Sequence, residues 1–260
     1  MDSQRVRDGV VARLRASGSV FAEEEADLLI AEAGSAAELE SLIEQRIVGV
    51  PLEVIVGWAE FCGRRIGVEP GVFVPRRRTE LLVAEAPAPA GAGPVVLDLC
   101  CGTGAVGAAI HAGMAGVTLH AADIDPAAVR CARRNLEPLG ALVFEGDLFA
   151  PLPRTLRGTV DLLVVNAPYV PTDAIALMPP EARVHEARVA LDGGGDGLDI
   201  HRRVAAGARD WLAPGGHLLI ETSRQQASRT AEAFADGGLA PRTVSSQELD
   251  GTVVVGAAAS

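Results

Sequence analysis

Leu97-Asp98-Leu99-Cys100-Cys101-Gly102-Thr103-Gly104-Ala105-Val106-Gly107 is the stretch that decides the fold. It opens as the end of a short apolar run, 95–99, and turns through three glycines into a helical stretch over 105–114. A strand that feeds a helix through such a loop leaves backbone that a nucleotide-like ligand can touch, because glycine carries no Cβ and tolerates left-handed φ. A nicotinamide dinucleotide and S-adenosylmethionine both suit a loop of this kind. Asp98 separates them. A carboxylate beside the glycines repels a pyrophosphate, whereas S-adenosylmethionine has no phosphate and carries an ammonium and a sulfonium. The loop therefore points to the methyl donor, with Asp98, Cys100, Cys101, Gly102, Thr103 and Gly104 around it.

Outward from this loop, short apolar runs alternate with helical stretches. The runs lie at 95–99, 117–122, 141–144, 160–165, 216–221 and 252–257, and the helices near 105–114, 126–137, 198–212 and 223–236. Asp125 before Pro126 is a cap followed by a first-turn proline. This alternation predicts a mostly parallel sheet covered on both faces. Asp250-Gly251 between runs at 242–248 and 252–257 reads as a tight turn, so the last strand is expected to be antiparallel.

Each strand end offers a polar residue to the ligand edge. Asp123 is placed to accept hydrogen bonds from ribose hydroxyls. Asp147 can accept from an adenine amino group, with Leu148 packing near the ring. After the fourth run comes Asn166-Ala167-Pro168-Tyr169. An amide nitrogen, or an amino group conjugated to a ring, is a poor nucleophile because its lone pair is delocalised. Two acceptors aimed at its hydrogens favour a pyramidal nitrogen. The Asn166 side-chain oxygen and the Ala167 carbonyl can supply them, and Asn166 also borders the donor. Pro168 stiffens the turn, and Tyr169 offers a flat face for a planar group. Dipoles placed in advance stabilise charge that develops in the transition state.

The rest of the chain divides by composition. Residues 1–50 show helical apolar spacing, with a capping box at Ser35 and Glu38, and predict a small helical subdomain. Residues 51–93 predict a β-hairpin around Gly63-Arg64, then a helix over 80–86 and a linker at 87–94. Residues 94–260 form the donor-binding domain. Of the 260 residues, 48% are apolar and 3% aromatic, so aliphatic side chains must fill the core. The formal net charge of −11 argues against an extended nucleic-acid surface. Arg76-Arg77-Arg78 is a local basic patch or a solvated loop. The four cysteines and five histidines lack metal-ligand spacing, so no metal is expected. Neither a signal peptide nor a membrane span is apparent, which places the protein in the cytoplasm without a membrane partner.

Several segments in the right order resemble the HemK-like protein-(glutamine-N5) methyltransferases that modify peptide release factors. Gly71 to Glu80 is similar to that family's segment ending Pro-Arg-Pro-x-Thr-Glu. Leu97 to Gly104 resembles its donor loop, and Asn166 to Tyr169 its Asn-Pro-Pro-Tyr. Glu186 to Leu191 and Asp196-Gly197-Leu198 resemble two further segments. The chain departs from the pattern at Ala167, Arg77 and Ala187, where the family has prolines, and at Cys100 and Cys101, where small residues are usual. Its helical N-terminal region looks shorter than the family's recognition domain, as in an actinobacterial-type paralogue. The resemblance implies a Rossmann-like class I methyltransferase fold, S-adenosylmethionine as cofactor, and a protein partner such as a release factor, acted on by a monomer or weak oligomer. It implies that Asn166, Ala167, Pro168 and Tyr169 carry the transfer. The loop 166–197 is expected to close over the acceptor, an insertion without fixed structure being the other reading. Adenine-N6 or small-molecule N-methylation, an inactive donor-binding protein and a nicotinamide dehydrogenase remain the competing readings.

Overall fold

The computed structural model describes residues 3–87 and 93–259; of the expected linker, residues 88–92 lie outside them. The chain opens with α1 (Ser3–Ala16), α2 (Ala22–Glu32), α3 (Ala36–Ile47) and a short α4 (Leu52–Val56). The Ser35 hydroxyl accepts from Glu38 N at 3.1 Å, and the Glu38 carboxylate accepts from Gly34 N at 2.8 Å, one residue further back than a standard capping box. These helices bury Val10, Val11, Leu14, Leu29 and Ile43 in an apolar cluster of their own.

A hairpin follows, β1 (Trp58–Phe61) and β2 (Arg64–Gly67). Its turn sits one residue earlier than expected, at Cys62-Gly63, with φ of 49° and 68°. A two-residue hairpin loop needs positive φ at both central positions to match the strand twist, and Arg64 is already paired in β2. A single 3₁₀ turn, Arg77–Thr79, then leads into α5 (Glu80–Ala84).

The main sheet comprises β3 (Val95–Leu99), β4 (Thr118–Asp123), β5 (Leu142–Glu145), β6 (Val160–Val165), β7 (Leu212–Glu221), β8 (Ala240–Ser246) and β9 (Gly251–Ala257). The helices between are α6 (Ala105–Gly113), α7 (Pro126–Leu136), α8 (Pro180–His185), α9 (Asp199–Ala208) and α10 (Ala227–Asp236). The strand order is β5-β4-β3-β6-β7-β9-β8. The first five strands run parallel, and β9 is antiparallel to both β7 and β8. The last strand is thus inside the sheet, not at its edge. Val253, Val254 and Val255 are all buried, which suits an interior position, while β8 is exposed from Ala240 to Thr243, buries no residue fully and takes the edge. The loop before β9 spans four residues, with Asp250 left-handed and Gly251 already paired to Ser246.

Alternation along the strands divides the core between the two faces. Val96, Leu162, Val164, Leu219 and Val253 pack on one side, and Leu97, Leu99, Leu163, Ile220 and Val254 on the other. Strand order reverses at β3, where β4 leaves on one side and β6 on the other. A cleft opens at the carboxyl ends of strands flanking such a switch.

Candidate functional site

The cleft holds about 540 Å³ and is lined from the ends of β3, β4 and β6, from Phe73 to Thr79, and from the loop after β6. Asp98 lies at its floor and is 2% exposed. One carboxylate oxygen accepts from Gly107 N at 2.9 Å, and the other accepts no hydrogen bond among the described residues. A side-chain carbon at Gly107 would sit 3.0 Å from that first oxygen, so glycine is what allows α6 to approach the acid. Burial pushes the Asp98 carboxyl up to about 7. A buried carboxyl with one open oxygen fits a cationic ligand group.

Asp123 uses both oxygens: one accepts from Gly102 N and one from Asp125 N, each at 2.9 Å. Burial raises its pKa as well. Ile124, directly after it, lines the cleft while 50% exposed. Cys100 and Leu148, both lining residues, adopt left-handed φ of 55° and 49°. Glycine is favoured in such a conformation, and strain of this kind gathers at ligand sites. Burial raises the Cys100 and Cys101 thiols, which therefore stay protonated. Asp147 is not free: Arg203 Nη2 on α9 donates to it at 2.6 Å.

On the other side of the cleft, Asn166 Nδ2 donates to Thr79 Oγ1 at 3.3 Å. The Asn166 Oδ1 and the Ala167 carbonyl accept no hydrogen bond among the described residues, and the Pro168 peptide bond is trans. Tyr169 is half-buried, with its ring at the cleft. Its hydroxyl donates to Glu221 Oε1 at 3.0 Å, and Arg78 Nε donates to the same oxygen at 3.3 Å. Burial first, and then the Glu221 charge, holds the Tyr169 hydroxyl protonated. His201 lies tilted against the ring, with centroids 6.4 Å apart, and burial lowers its pKa to about 4, so it is neutral.

Of Arg76-Arg77-Arg78, only Arg77 is solvated as the second expectation had it. Arg76 Nη2 donates to the buried Glu186 at 2.5 Å, and Arg78 reaches the buried Glu221. Arg77, between them, is 72% exposed. Alternation turns the outer two inward because each meets a carboxylate that would otherwise be buried unpaired. The loop 166–197 has a fixed course: a 3₁₀ turn at Thr172–Leu177, then α8, then a turn at Arg188–Ala190. It is held by Val170 N to Leu191 O at 3.0 Å, by Gly193 N to Val170 O at 2.9 Å and by Ala187 N to Gly71 O at 3.2 Å. Arg46 of α3 reaches Glu181 of α8 at 2.6 Å and Glu25 of α2 at 2.8 Å. The roles of Arg78, Thr79, Arg203, Ile124 and Glu221 escape the sequence reading. Glu221 alone had a signal, an acid closing a strand, as Asp123 does.

Residues 64–198 match the methyltransferase small domain. The chain belongs to that methyltransferase family. This methyltransferase is 40% identical over 204 residues to the release factor glutamine methyltransferase of Geobacter sulfurreducens, a match that covers 76% of this chain and 69% of that protein. It is 36% identical over 203 residues to the 4-amino-L-phenylalanine/4-methylamino-L-phenylalanine methyltransferase of Streptomyces pristinaespiralis, covering 75% and 69%. A methyltransferase from Pyrococcus furiosus superposes with a TM-score of 0.58 over 76% of this chain and 90% of that one, at 16% identity, which shows the shared fold. The methyl donor is S-adenosylmethionine. Among the described residues no helix is long and apolar enough to cross a membrane, and no cluster of three or more His, Cys, Asp or Glu could hold a metal.

Proposed function

We propose that this methyltransferase methylates the side-chain nitrogen (N5) of a glutamine in a protein, a peptide chain release factor, in the cytoplasm and as a monomer or weak oligomer. The observation that carries the reading is the Asn166 carboxamide. Its nitrogen is engaged with Thr79, which leaves its oxygen, with the Ala167 carbonyl, to accept from the two hydrogens of an incoming planar nitrogen. When bound, S-adenosylmethionine supplies an electrophilic methyl group on a sulfonium. Asp98 would pair with its ammonium, and Asp123 would accept from its ribose. Asn166 and Ala167 orient the acceptor so that its lone pair forms the new N–C bond as the S–C bond breaks; alignment supplies much of the rate. The nitrogen gives up a proton after transfer, so the site needs no strong base. The Glu221 contact fixes the Tyr169 ring as a stacking face.

The 40% identity to a release factor glutamine methyltransferase supports the protein acceptor. So do the exposed Leu177, Val184 and Val189 on the loop 166–197, which suit a polypeptide better than a free metabolite. We assign residues 1–50, with their separate apolar cluster, as a helical subdomain, 51–93 as hairpin and linker, and 94–260 as the methyltransferase domain. A second reading has an observation of its own. The relative that methylates 4-amino-L-phenylalanine is 36% identical, and an arylamine carries a conjugated nitrogen on a flat ring that can stack on Tyr169.

The test offers labelled methyl donor with purified release factor or with 4-amino-L-phenylalanine. The expected product is a monomethylated glutamine in the release factor's Gly-Gly-Gln, read by mass spectrometry. Label in the amino acid alone supports the second reading, and label in neither overturns both. Asn166→Ala should cut turnover about 10²–10³-fold while affinity for the donor changes little.

A further inference from the structure

The segment Arg76 to Glu80, which lines the cleft through Arg78 and Thr79, touches four separate elements. Arg76 pairs with Glu186 of the loop 166–197, and Arg78 with Glu221 at the end of β7. Glu80 Oε1 accepts from Cys62 N in the hairpin turn at 3.0 Å. A side-chain carbon at Gly251 would sit 2.8 Å from the Arg78 carbonyl oxygen, so β9 too is packed against this segment. Thr79, in the middle, is 3% exposed, and it closes the 3₁₀ turn with helical φ and ψ that run straight into α5. Its hydroxyl meets Asn166 Nδ2 at 3.3 Å.

We propose that Thr79 is a positioning residue for methyl transfer, whose hydroxyl accepts from Asn166 Nδ2 and so holds the carboxamide oxygen toward the acceptor nitrogen. The inference rests on the role given to Asn166 above. The two ends of a carboxamide have nearly the same shape and opposite hydrogen-bonding sense. The terminal torsion of asparagine is broad, so the side chain alone does not choose between them. With the oxygen toward the acceptor, two N–H groups find their partner. With the NH₂ toward it, donor faces donor. The productive orientation turns Nδ2 into the protein, and Thr79 Oγ1 is its hydrogen-bond acceptor there. Remove that oxygen and the inward position becomes apolar, so the NH₂ gains by turning to the wet cleft. The anchored ends of the segment keep Thr79 from following Asn166 if it turns.

The experiment compares Thr79→Val, Thr79→Ser and Asn166→Ala on whichever acceptor the wild type methylates, release factor or 4-amino-L-phenylalanine. It measures kcat and KM for that acceptor, donor-site affinity by calorimetry with S-adenosylhomocysteine, and Tm. Loss of one net hydrogen bond predicts a fall in kcat on the order of ten-fold for the valine variant. Affinity for S-adenosylhomocysteine and Tm should hardly move, and the serine variant should recover most of the rate. Should Thr79→Val not fold, Thr79→Ala removes the same hydroxyl with less bulk. Unchanged kcat in the hydroxyl-free variants, an equal fall in the serine variant, or a parallel loss of S-adenosylhomocysteine affinity each overturns the inference. If Asn166→Ala keeps full turnover, or the wild type methylates neither acceptor, the parent reading falls with it. If Asn166→Ala is crippled and Thr79→Val is not, only Thr79 is wrong.

Discussion

Asp98→Asn should make the free protein more stable and the donor bind less well, two effects of opposite sign from one substitution. Asp98 is 2% exposed, and burial moves its carboxyl from 3.8 to about 7. Three units correspond to about 4 kcal/mol against the ionised form, an upper figure since the interior relaxes around a charge. Asparagine has the same shape, can still accept from Gly107 N through its oxygen, and carries no charge to desolvate. The folded pKa lies above the unfolded one, so the wild type is unpenalised below about pH 4, loses stability as pH rises from 4 to 7, and stays at the lower level above that. The advantage of the variant should therefore be absent at pH 4 and full at pH 8. Half of the upper figure would raise Tm by about 4–8 °C in a chain of this size. Urea unfolding of both proteins at the two pH values measures it, and calorimetry with S-adenosylhomocysteine measures the loss of the ammonium's partner. In the wild type that affinity should itself weaken as pH falls below 7, as Asp98 takes up a proton, and in the variant the dependence should vanish. A variant less stable than wild type at pH 8, or equally avid for S-adenosylhomocysteine, would refute the reasoning.

Two further substitutions probe other parts of the site. Arg76→Ala leaves Glu186, whose side chain is 1% exposed, without its cation, and should cost about 2–3 kcal/mol, less than a fully buried pair because 32% of the Arg76 side chain is exposed. Burial already raises the Glu186 pKa, so the deficit should be larger at pH 8 than at pH 5, which denaturation at the two values will show. Asp123→Ala removes an acceptor that also holds Gly102 N and Asp125 N, and should weaken S-adenosylhomocysteine binding by about 1–3 kcal/mol in calorimetry; undiminished affinity takes Asp123 out of the donor site.

What could be read from the sequence was what local chemistry writes. The glycines after β3, Asp98, Asp123 and the Asn166 to Tyr169 turn each declare themselves within a dozen residues, because a tight loop and a strand end impose their own residue types. The alternation of runs and helices likewise gave the parallel sheet. The remainder depended on partners far along the chain. A triple arginine looks solvated until Glu186 and Glu221 are known to be buried beside it. Nothing near Thr79 in the chain shows that Asn166, 87 positions on, comes alongside it. The place of β9 inside the sheet turns on a comparison of its burial with that of β8, and the Asp250-Gly251 signal fixed only that the two are antiparallel.

The contact between Arg78 and Glu221 joins residues 143 positions apart. Closing so long a loop is entropically late work, whereas the donor loop, Asp98 and Asp123 come together within β3 to β4. The acceptor side of the cleft is thus the part that depends most on distant segments being in place, and a change that loosens β7 should unbrace Tyr169 before it disturbs the loop around Asp98.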